Sequence, residues 1–415
     1  MKNNQMSVIV TVYNIEQYIE ECIVNILNQK NIVLELILVD DASTDNSLEI
    51  CRKYEKIDNR VKVLANEVNL GITATRNRGL KAATGEYIYI MDGDDILKKE
   101  SLSTMYNICK EKNLDLLEFS ADVFYDNNNM KRFANEDCYI RSKCLNKIMT
   151  GAEIFVKLRE ECESVRWSAC LHCYRGDLIR EKSLYYVDGL RYADGSEFHL
   201  YMNASRAMCI SDILYSRRVR PGSQITSKAK IHYLESLIIL FVEELKMWDS
   251  YIITSEKINE GISRYFLLRK REILDMYQQF VNYDGETPLL DKHPSAKFFY
   301  NYTIKQIPVC IDKLTEHELE RVKSARKIYI YGAGFFGTEL AKVFNYINLN
   351  NYEFIVTENK SNLDMHLGKR IIELNQVDFK DESELVVVAM SSINWDSIEK
   401  RLIEKNCHNY FFFEV

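Results

Sequence analysis

Residues 87–96 read YIYIMDGDDI, an apolar run that ends in the carboxylates of Asp92, Asp94 and Asp95. An apolar run of this kind, without polar alternation, is typical of a strand that is buried on both faces of a sheet. Carboxylates this close together repel one another, and oxygen ligands of this kind bind hard divalent cations. The stretch therefore predicts a buried strand with a cation site at its carboxyl end.

The chain before this stretch alternates strand and helix patterns. The predicted strands are MSVIVTVYN (6–14), LELILVDDAS (34–43) and VKVLANE (61–67). The predicted helices are IEQYIEECIVNILNQ (15–29), STDNSLEICRKYEKI (43–57) and GITATRNRGLKAAT (71–84). This alternation predicts an α/β fold with a mainly parallel sheet covered by helices. Ligands of such sheets bind beyond the carboxyl ends of the strands, so we expect Asp40 and Asp41 to lie near the carboxylates that follow the fourth strand.

The remainder of the chain predicts two further regions. Residues 228–325 are strongly helical and predict a helical connector, whereas residues 326–415 open with a strand, a turn and a helix. Gly332, Gly334 and Gly337 stand in that turn in G-x-G-x-x-G order, which is typical of a loop whose backbone N–H groups bind a dinucleotide pyrophosphate. The same glycines also permit close packing of strand and helix. We therefore expect a small Rossmann-like α/β domain, and both a nucleotide loop and an assembly role stay open for it.

Composition excludes several classes of protein. The chain has 415 residues, which favours two or three domains, and a net charge of −7, which argues against a nucleic-acid-binding surface. Its 11 cysteines lack the spacing of a disulfide framework, as expected of free thiols in a reducing cytoplasm. Neither a signal peptide nor an uninterrupted apolar stretch long enough for a transmembrane helix is visible. We therefore expect a cytoplasmic protein.

Four segments, in order along the chain, resemble the large family 2 of inverting glycosyltransferases, which have the GT-A fold. They are SVIVTVYN (7–14), VDDASTDNS (39–47), NLGITATRNRGL (69–80) and GEYIYIMDGDD (85–95). The likeness is close over residues 6–102 and looser as far as 227, so it implies a GT-A domain over residues 1–227. It also implies transfer of a sugar from a nucleotide-sugar donor, with UDP favoured, to a glycan acceptor of bacterial surface polysaccharide such as capsule or lipopolysaccharide.

The resemblance assigns donor-binding roles to residues of the first hundred positions. Asp92 and Asp94 form a D-x-D element, in which Asp94 is the direct ligand of Mn²⁺ or Mg²⁺ and Asp92 either shares the metal or faces the ribose. Such a cation bridges the donor phosphates and neutralises charge on the leaving oxygen. Asp41 is expected to accept a hydrogen bond from a base N–H, which uracil, thymine and guanine present. Thr11 is expected to contact the base or the ribose.

Further roles follow from the same resemblance. Tyr13 belongs to the donor site. Arg76 is expected to contact the base or the phosphates, with an exposed helix charge as the alternative. Arg218 and Arg220, in LYSRRVRPGSQIT (214–226), are expected near the diphosphate, where one of them meets phosphate.

Inverting transfer needs a base that deprotonates the acceptor hydroxyl. Members of the family carry this base in a segment that contains a Glu-Asp pair. In this chain the segment YVDGLRYADGSEFHL (186–200) resembles it. Asp194 is the predicted base and Glu197 the reserve. The segment departs from the family pattern, because Ala193 replaces the common Glu and the spacing to Phe198 is longer.

Two other functions stay open at this point. One is an NAD-dependent oxidoreductase that acts through the carboxy-terminal domain, although no acid–base pair accompanies its glycines. The other is a non-catalytic sugar-binding or scaffold protein, which the replacement by Ala193 permits. The sequence also leaves open a lipid-linked acceptor, peripheral association with the inner face of the membrane and a homodimer through the helical connector.

Overall fold

The structure is a computed structural model, and it describes most of the chain. The described residues are 5–133, 136–141, 146–161, 168–191, 197–223, 226, 230–251, 253, 255–280, 283, 285–305, 314–333, 335–357, 365–389 and 395–413. The chain divides into two compact units, Met1–Lys297 and Phe298–Val415. The finer division that the sequence predicts, with boundaries after residues 227 and 325, stays a prediction.

The first unit contains an eight-stranded mixed sheet. Its strands are β1 (Met6–Val12), β2 (Leu34–Asp40), β3 (Val61–Ala65), β4 (Tyr87–Asp92), β5 (Ile96–Leu97), β6 (Leu116–Tyr125), β7 (His172–Arg175) and β8 (Ala207–Val219). Their order in the sheet is β3-β2-β1-β4-β7-β6-β8-β5. The half formed by β3, β2, β1 and β4 is parallel, as the sequence predicts. In the other half β7 is antiparallel to β4 and β6, so the whole sheet is mixed rather than mainly parallel.

Eleven α-helices lie between residues 19 and 299 in the part of the chain that the structure describes. They are α1 (Ile19–Leu27), α2 (Ser47–Ile57), α3 (Ile72–Ala82), α4 (Ser101–Glu111), α5 (Gly151–Glu161), α6 (Gly176–Lys182), α7 (Phe198–Asn203), α8 (Ile231–Ser250), α9 (Glu256–Tyr277), α10 (Pro288–Asp291) and α11 (Pro294–Phe299). Amphipathic sequence explains their burial: α1 turns Ile19, Cys22, Ile23 and Ile26 toward the sheet core. Within the described residues, none of the helices combines the length and the apolar character that crossing a membrane requires.

Helix α3 lies unusually close to the parallel half of the sheet. A Cβ at Gly79 would stand 2.3 Å from Cγ2 of Ile9 in β1, so only glycine permits this approach. The close packing places the side chains of the preceding helical turn against the ends of β1 and β4. Arg76, one turn earlier in α3, is consequently buried, with 4% of its surface exposed.

The second unit is a smaller α/β structure. Its strands are β9 (Lys327–Tyr331), β10 (Tyr352–Val356), β11 (Met365–His366), β12 (Lys369–Glu373), β13 (Glu384–Val388) and β14 (Tyr410–Phe412). Its helices are α12 (Glu316–Ser324), α13 (Phe335–Tyr346) and α14 (Trp395–Glu404). The sheet order is β11-β12-β10-β9-β13-β14, and all neighbours are parallel except β11 and β12. Counted from β9, the parallel strands follow the order 3-2-1-4-5, which is the order of the first five strands in a Rossmann fold.

The glycines after β9 have a packing role that the structure makes visible. Gly332 has a φ of +112°, and a Cβ at Gly337 would lie 1.7 Å from the carbonyl oxygen of Gly332. Gly337 is therefore required for α13 to start directly against the end of β9. Gly334 lies outside the described residues, and binding of a nucleotide to this loop stays a prediction.

Candidate functional site

A cavity of about 730 Å³ opens at the carboxyl ends of β1, β2 and β4. It is the location that a parallel sheet predicts for a ligand. Seven residues that the sequence predicts for the donor site line it: Thr11, Tyr13, Asp41, Asp92, Asp94, Arg218 and Arg220. The two predicted acidic clusters therefore do meet at one cavity.

Asp95 is the carboxylate that fixes the turn after β4. Its Oδ1 accepts a hydrogen bond from the backbone N–H of Arg218 at 2.6 Å, and its Oδ2 accepts one from the hydroxyl of Tyr215. Only 3% of its surface is exposed. Burial raises the pKa of Asp95, and the negative charges of Asp94 and Asp92 raise it further. Asp95 thus ties the turn to β8, and it lines the cavity beside Asp92 and Asp94.

Asp92 is held from the opposite side by α3 and β1. Its Oδ1 lies 3.3 Å from the hydroxyl of Thr11 and 3.3 Å from Nη2 of Arg76. Burial lowers the pKa of the Arg76 guanidinium, but the charge of Asp92, together with smaller contributions from Tyr186, Cys170 and Glu197, outweighs burial and raises that pKa. The guanidinium also stands over the ring of Tyr186, 5.7 Å from its centroid. Arg76 is therefore a buried counter-ion of Asp92 and not an exposed helix charge, and its contact with a donor stays a prediction.

Asp94 is paired with an arginine. Nε of Arg220 donates to its Oδ2 at 2.6 Å, and Nε of Arg218 donates to its backbone carbonyl oxygen at 2.8 Å. The side chain of Asp94 is 17% exposed and that of Arg220 15%. Both predicted arginines thus lie at the D-x-D turn, and Arg220 contacts the predicted metal ligand itself.

The carboxylate of Asp41 accepts three hydrogen bonds from its surroundings. Its Oδ1 accepts hydrogen bonds from Nδ2 of Asn66 and from the backbone N–H of Leu70, both at 2.8 Å. Its Oδ2 accepts one from the backbone N–H of Gly71 at 3.0 Å. A carboxylate has about four acceptor positions, so these bonds leave one at Oδ2. The bonds orient the carboxylate, which supports acceptance of a ligand N–H at that position.

The two predicted general bases differ in what the structure describes. Asp194 lies outside the described residues, three positions after Arg191, which lines the cavity. Glu197 is described: it immediately precedes α7, is 1% exposed and is absent from the lining of the cavity. Its charge acts on the buried Arg76. Neither assignment of the base is tested by this geometry.

Sequence reasoning missed a basic side of the cavity. Arg191, Lys230 and His232 line it, and Nη2 of Arg191 donates to the carbonyl oxygen of Asn69 at 3.2 Å. Burial lowers the pKa of His232, and the positive charges of Lys230 and Arg191 lower it further. Lys230 and His232 stand at the start of α8, which the sequence assigns to the helical connector. No local motif marks them, because only the long-range packing of α8 brings them to this cavity.

The carboxylates at the cavity suit a cation that is bound partly by the protein and partly by a substrate. Among the residues that the structure describes, no group of three or more His, Cys, Asp or Glu side chains is arranged as a metal site. Asp92 and Asp94 both line the cavity and offer carboxylate oxygens. Mg²⁺ is typically bound by one or two carboxylates together with substrate phosphates and water rather than by a complete protein cage. Two carboxylates beside an open cavity fit that pattern.

Comparison with known proteins is consistent with this geometry. The family model "Glycosyl transferase family 2" matches residues 7–158. Glycosyltransferase GlyG of Streptococcus pneumoniae is 31% identical over 244 residues, which are 58% of this chain and 79% of that protein. The uncharacterized glycosyltransferase EpsJ of Bacillus subtilis is 32% identical over 222 residues, which are 52% of this chain and 62% of that protein.

A solved structure shares the fold. The crystal structure of residues 1–349 of TarS from S. aureus, in complex with UDP-GlcNAc, superposes with a TM-score of 0.53 at 22% identity. The likeness covers 82% of this chain and 88% of that one. The predicted fold class is thereby confirmed.

Proposed function

Because the chain belongs to glycosyl transferase family 2, we propose that it transfers a sugar, with inversion, from a UDP-linked donor to a glycan acceptor in the synthesis of bacterial surface polysaccharide. The observation that carries the proposal is the meeting of Asp41, Asp92 and Asp94 at one cavity of about 730 Å³. Cavities of this size suit small-molecule ligands. In this proposal Asp41 accepts a hydrogen bond from the nucleotide base, and Asp92 and Asp94 bind the cation that accompanies the donor diphosphate.

The preference for UDP rests on the acceptor position at Oδ2 of Asp41. Uracil presents an N–H to such an acceptor, and so do thymine and guanine. Cytosine presents a lone pair at the equivalent ring nitrogen, and two lone pairs facing each other repel. The site therefore favours the nucleotides that carry the N–H, and the resemblance selects UDP among them.

Asp92 and Asp94 are the residues that would hold Mn²⁺ or Mg²⁺. When bound, such a cation neutralises negative charge on the departing diphosphate. The chain's own contribution is to keep both carboxylates at the cavity: Arg76 and Thr11 hold Asp92, whereas Asp95 ties the turn to β8.

Asp194 is the proposed general base. It would take the proton of the acceptor hydroxyl as the oxygen attacks the anomeric carbon from the face opposite the leaving diphosphate, which inverts the configuration. Glu197 is the second candidate. Its burial beside the Arg76 side chain supports a positioning role for it.

A thermal-shift panel of UDP, GDP, dTDP, CMP and NAD, each with and without Mn²⁺, tests the proposal. A ligand that binds only the folded state stabilises it by about 2.7 kcal/mol at about 100 times its Kd. We expect UDP to raise Tm in the presence of Mn²⁺ and Asp94→Asn to abolish that increase. The control is Asp177→Asn, which makes the same change at a side chain that is 67% exposed on α6. A metal-independent increase with NAD alone would instead support an oxidoreductase and overturn the proposal.

A further inference from the structure

Two neighbouring arginines at the end of β8 are held very differently. Arg218 is locked in place: its guanidinium pairs with Glu21 at 2.5 Å and with Asp126 at 3.1 Å. It also packs against the rings of Tyr18 and Phe124, at 5.0 and 4.5 Å from their centroids. Displacing this side chain would break two ion pairs and two ring contacts. Arg218 is therefore a fixed part of the cavity wall.

Arg220 has far fewer contacts. Among the described residues, Asp94 provides the one carboxylate within ion-pair distance of it, at 2.6 Å. The other contacts of its side chain are a ring contact with Tyr18 at 4.9 Å and a long hydrogen bond to the carbonyl oxygen of Pro221 at 3.4 Å, whereas its backbone carbonyl oxygen accepts a hydrogen bond from Thr226 at 2.9 Å. Arg220 follows the last residue of β8, and Gly222 just beyond it has a φ of +74° with open space around its Cβ position. This side chain can move without disturbing the sheet.

The contact of Arg220 conflicts with the role of Asp94 as a metal ligand. Arg220 occupies Oδ2 of Asp94, and a divalent cation on either oxygen of that carboxylate would lie close to the guanidinium, where the two positive charges repel. Without either of them, Asp94 would add an unbalanced charge beside Asp92 and the buried Asp95. A positive partner therefore stabilises the acidic turn, and in the structure Arg220 is that partner of Asp94.

We propose that Arg220 is an exchangeable counter-ion, which occupies the cation position at Asp94 in the free enzyme and moves to the donor diphosphate when cation and donor bind. The proposal rests on the proposed function, because it takes Asp94 as a cation ligand. The move exchanges one charge-assisted hydrogen bond, to carboxylate, for another, to phosphate. The guanidinium thus pairs with Asp94 before cation and donor bind and with the diphosphate afterwards.

The exchange predicts effects of opposite sign from one substitution. In Arg220→Ala, Mn²⁺ without nucleotide should bind about tenfold tighter, because loss of one competing charge-assisted hydrogen bond is worth about that factor. With Mn²⁺ saturating, UDP should bind the same variant about tenfold more weakly, because its phosphate loses a partner. Titration of free Mn²⁺ by electron paramagnetic resonance measures the first effect, and calorimetry with UDP measures the second. Arg220→Gln repeats the test with a side chain of similar length.

Lys230→Ala is the matched control, because it removes one positive charge from the same cavity without a contact to Asp94. We expect its Mn²⁺ affinity to stay within about twofold of the wild type. Equal tightening in both variants would show a general field effect and overturn the exchange, as would an unchanged or weaker Mn²⁺ affinity in Arg220→Ala. If the Asp94→Asn variant binds Mn²⁺ as tightly as the wild type does, the metal part of the proposed function itself fails. The two failures are thus distinguishable.

Discussion

Asp41→Asn should invert the nucleotide preference of the cavity. The substituted amide has one oxygen and one NH₂ group, and their orientation is dictated by the surroundings. The oxygen must take the Oδ1 position, because Asn66 and Leu70 both donate there and would otherwise face a second donor. The NH₂ group then takes the Oδ2 position, where it meets the backbone N–H of Gly71 and the bound base.

The magnitude follows from the bonds that change. The N–H of Gly71 loses a charge-assisted hydrogen bond of 3.0 Å in a buried position, which costs about 1.5–3 kcal/mol of folding free energy. A base N–H of UDP would also face a donor, so UDP affinity should fall by about 100-fold, equivalent to about 3 kcal/mol. Cytosine presents an acceptor at that ring nitrogen, so the NH₂ group can donate to it. CDP should therefore gain relative to UDP.

The assay is the ratio of UDP to CDP dissociation constants, measured by calorimetry with Mn²⁺ present. A ratio is insensitive to a general loss of stability, which distinguishes recognition from damage. Asn66→Ala serves as the control, because it removes a donor to Oδ1 of Asp41 and leaves Oδ2 unchanged. Equal losses of UDP and CDP affinity in Asp41→Asn would refute the base-reading role of Asp41.

Three further predictions concern the base, the pH dependence and the second unit. Asp194→Asn should lower kcat by at least about 100-fold without changing UDP affinity, as measured by steady-state kinetics and calorimetry. Glu197→Gln should mainly lower Tm. If Glu197→Gln instead lowers kcat and Asp194→Asn lowers Tm, the two residues exchange roles. Burial lowers the pKa of His172 to about 4, so the unfolded chain takes up this proton before the folded chain does as pH falls below about 6.5. The free energy of unfolding should therefore drop by about 3 kcal/mol between pH 6.5 and 4. Urea unfolding of His172→Gln should show a weaker dependence of that free energy on pH, and an identical dependence would contradict this account. Gly337→Ala should destabilise the second unit by at least about 1–3 kcal/mol, because its Cβ would lie 1.7 Å from the Gly332 carbonyl oxygen, and hydrogen exchange should show the loss there while UDP binding stays unchanged.

The parallel half of the sheet was predictable because its strands are continuous apolar runs. The predicted strand at 34–43 and the observed Leu34–Asp40 share their start, and the carboxylates after it reach the cavity as expected. Strand β8 gives no such pattern, since its middle residues are exposed and its end carries arginines, so its sequence did not lead us to predict a strand there. Its length and its partner β6 come from pairing across the sheet, which no local periodicity records.

The candidate site was predictable in its acidic residues and less so in its basic ones. Asp41, Asp92 and Asp94 follow strands directly, so strand position alone brings them together. The burial of Arg76 depends on its ion pair with Asp92 and on the close approach of α3 to the sheet at Gly79, and both are tertiary contacts. Lys230 and His232 reach the cavity only through the packing of α8. Asp194 stays a prediction of the sequence.

The anchoring of Asp95 has a consequence for the order in which the site is made on the ribosome. The groups that hold its carboxylate belong to Tyr215 and Arg218, which are 120 and 123 residues further along the chain. When synthesis has passed residue 158, the end of the segment that the family model matches, the D-x-D turn exists but its anchor has not been translated. The nascent chain thus carries an acidic turn without Arg218 and Arg220 until β8 has emerged. Completion of the cavity is therefore a late event in biosynthesis, although Asp41, Asp92 and Asp94 are encoded in the first hundred codons.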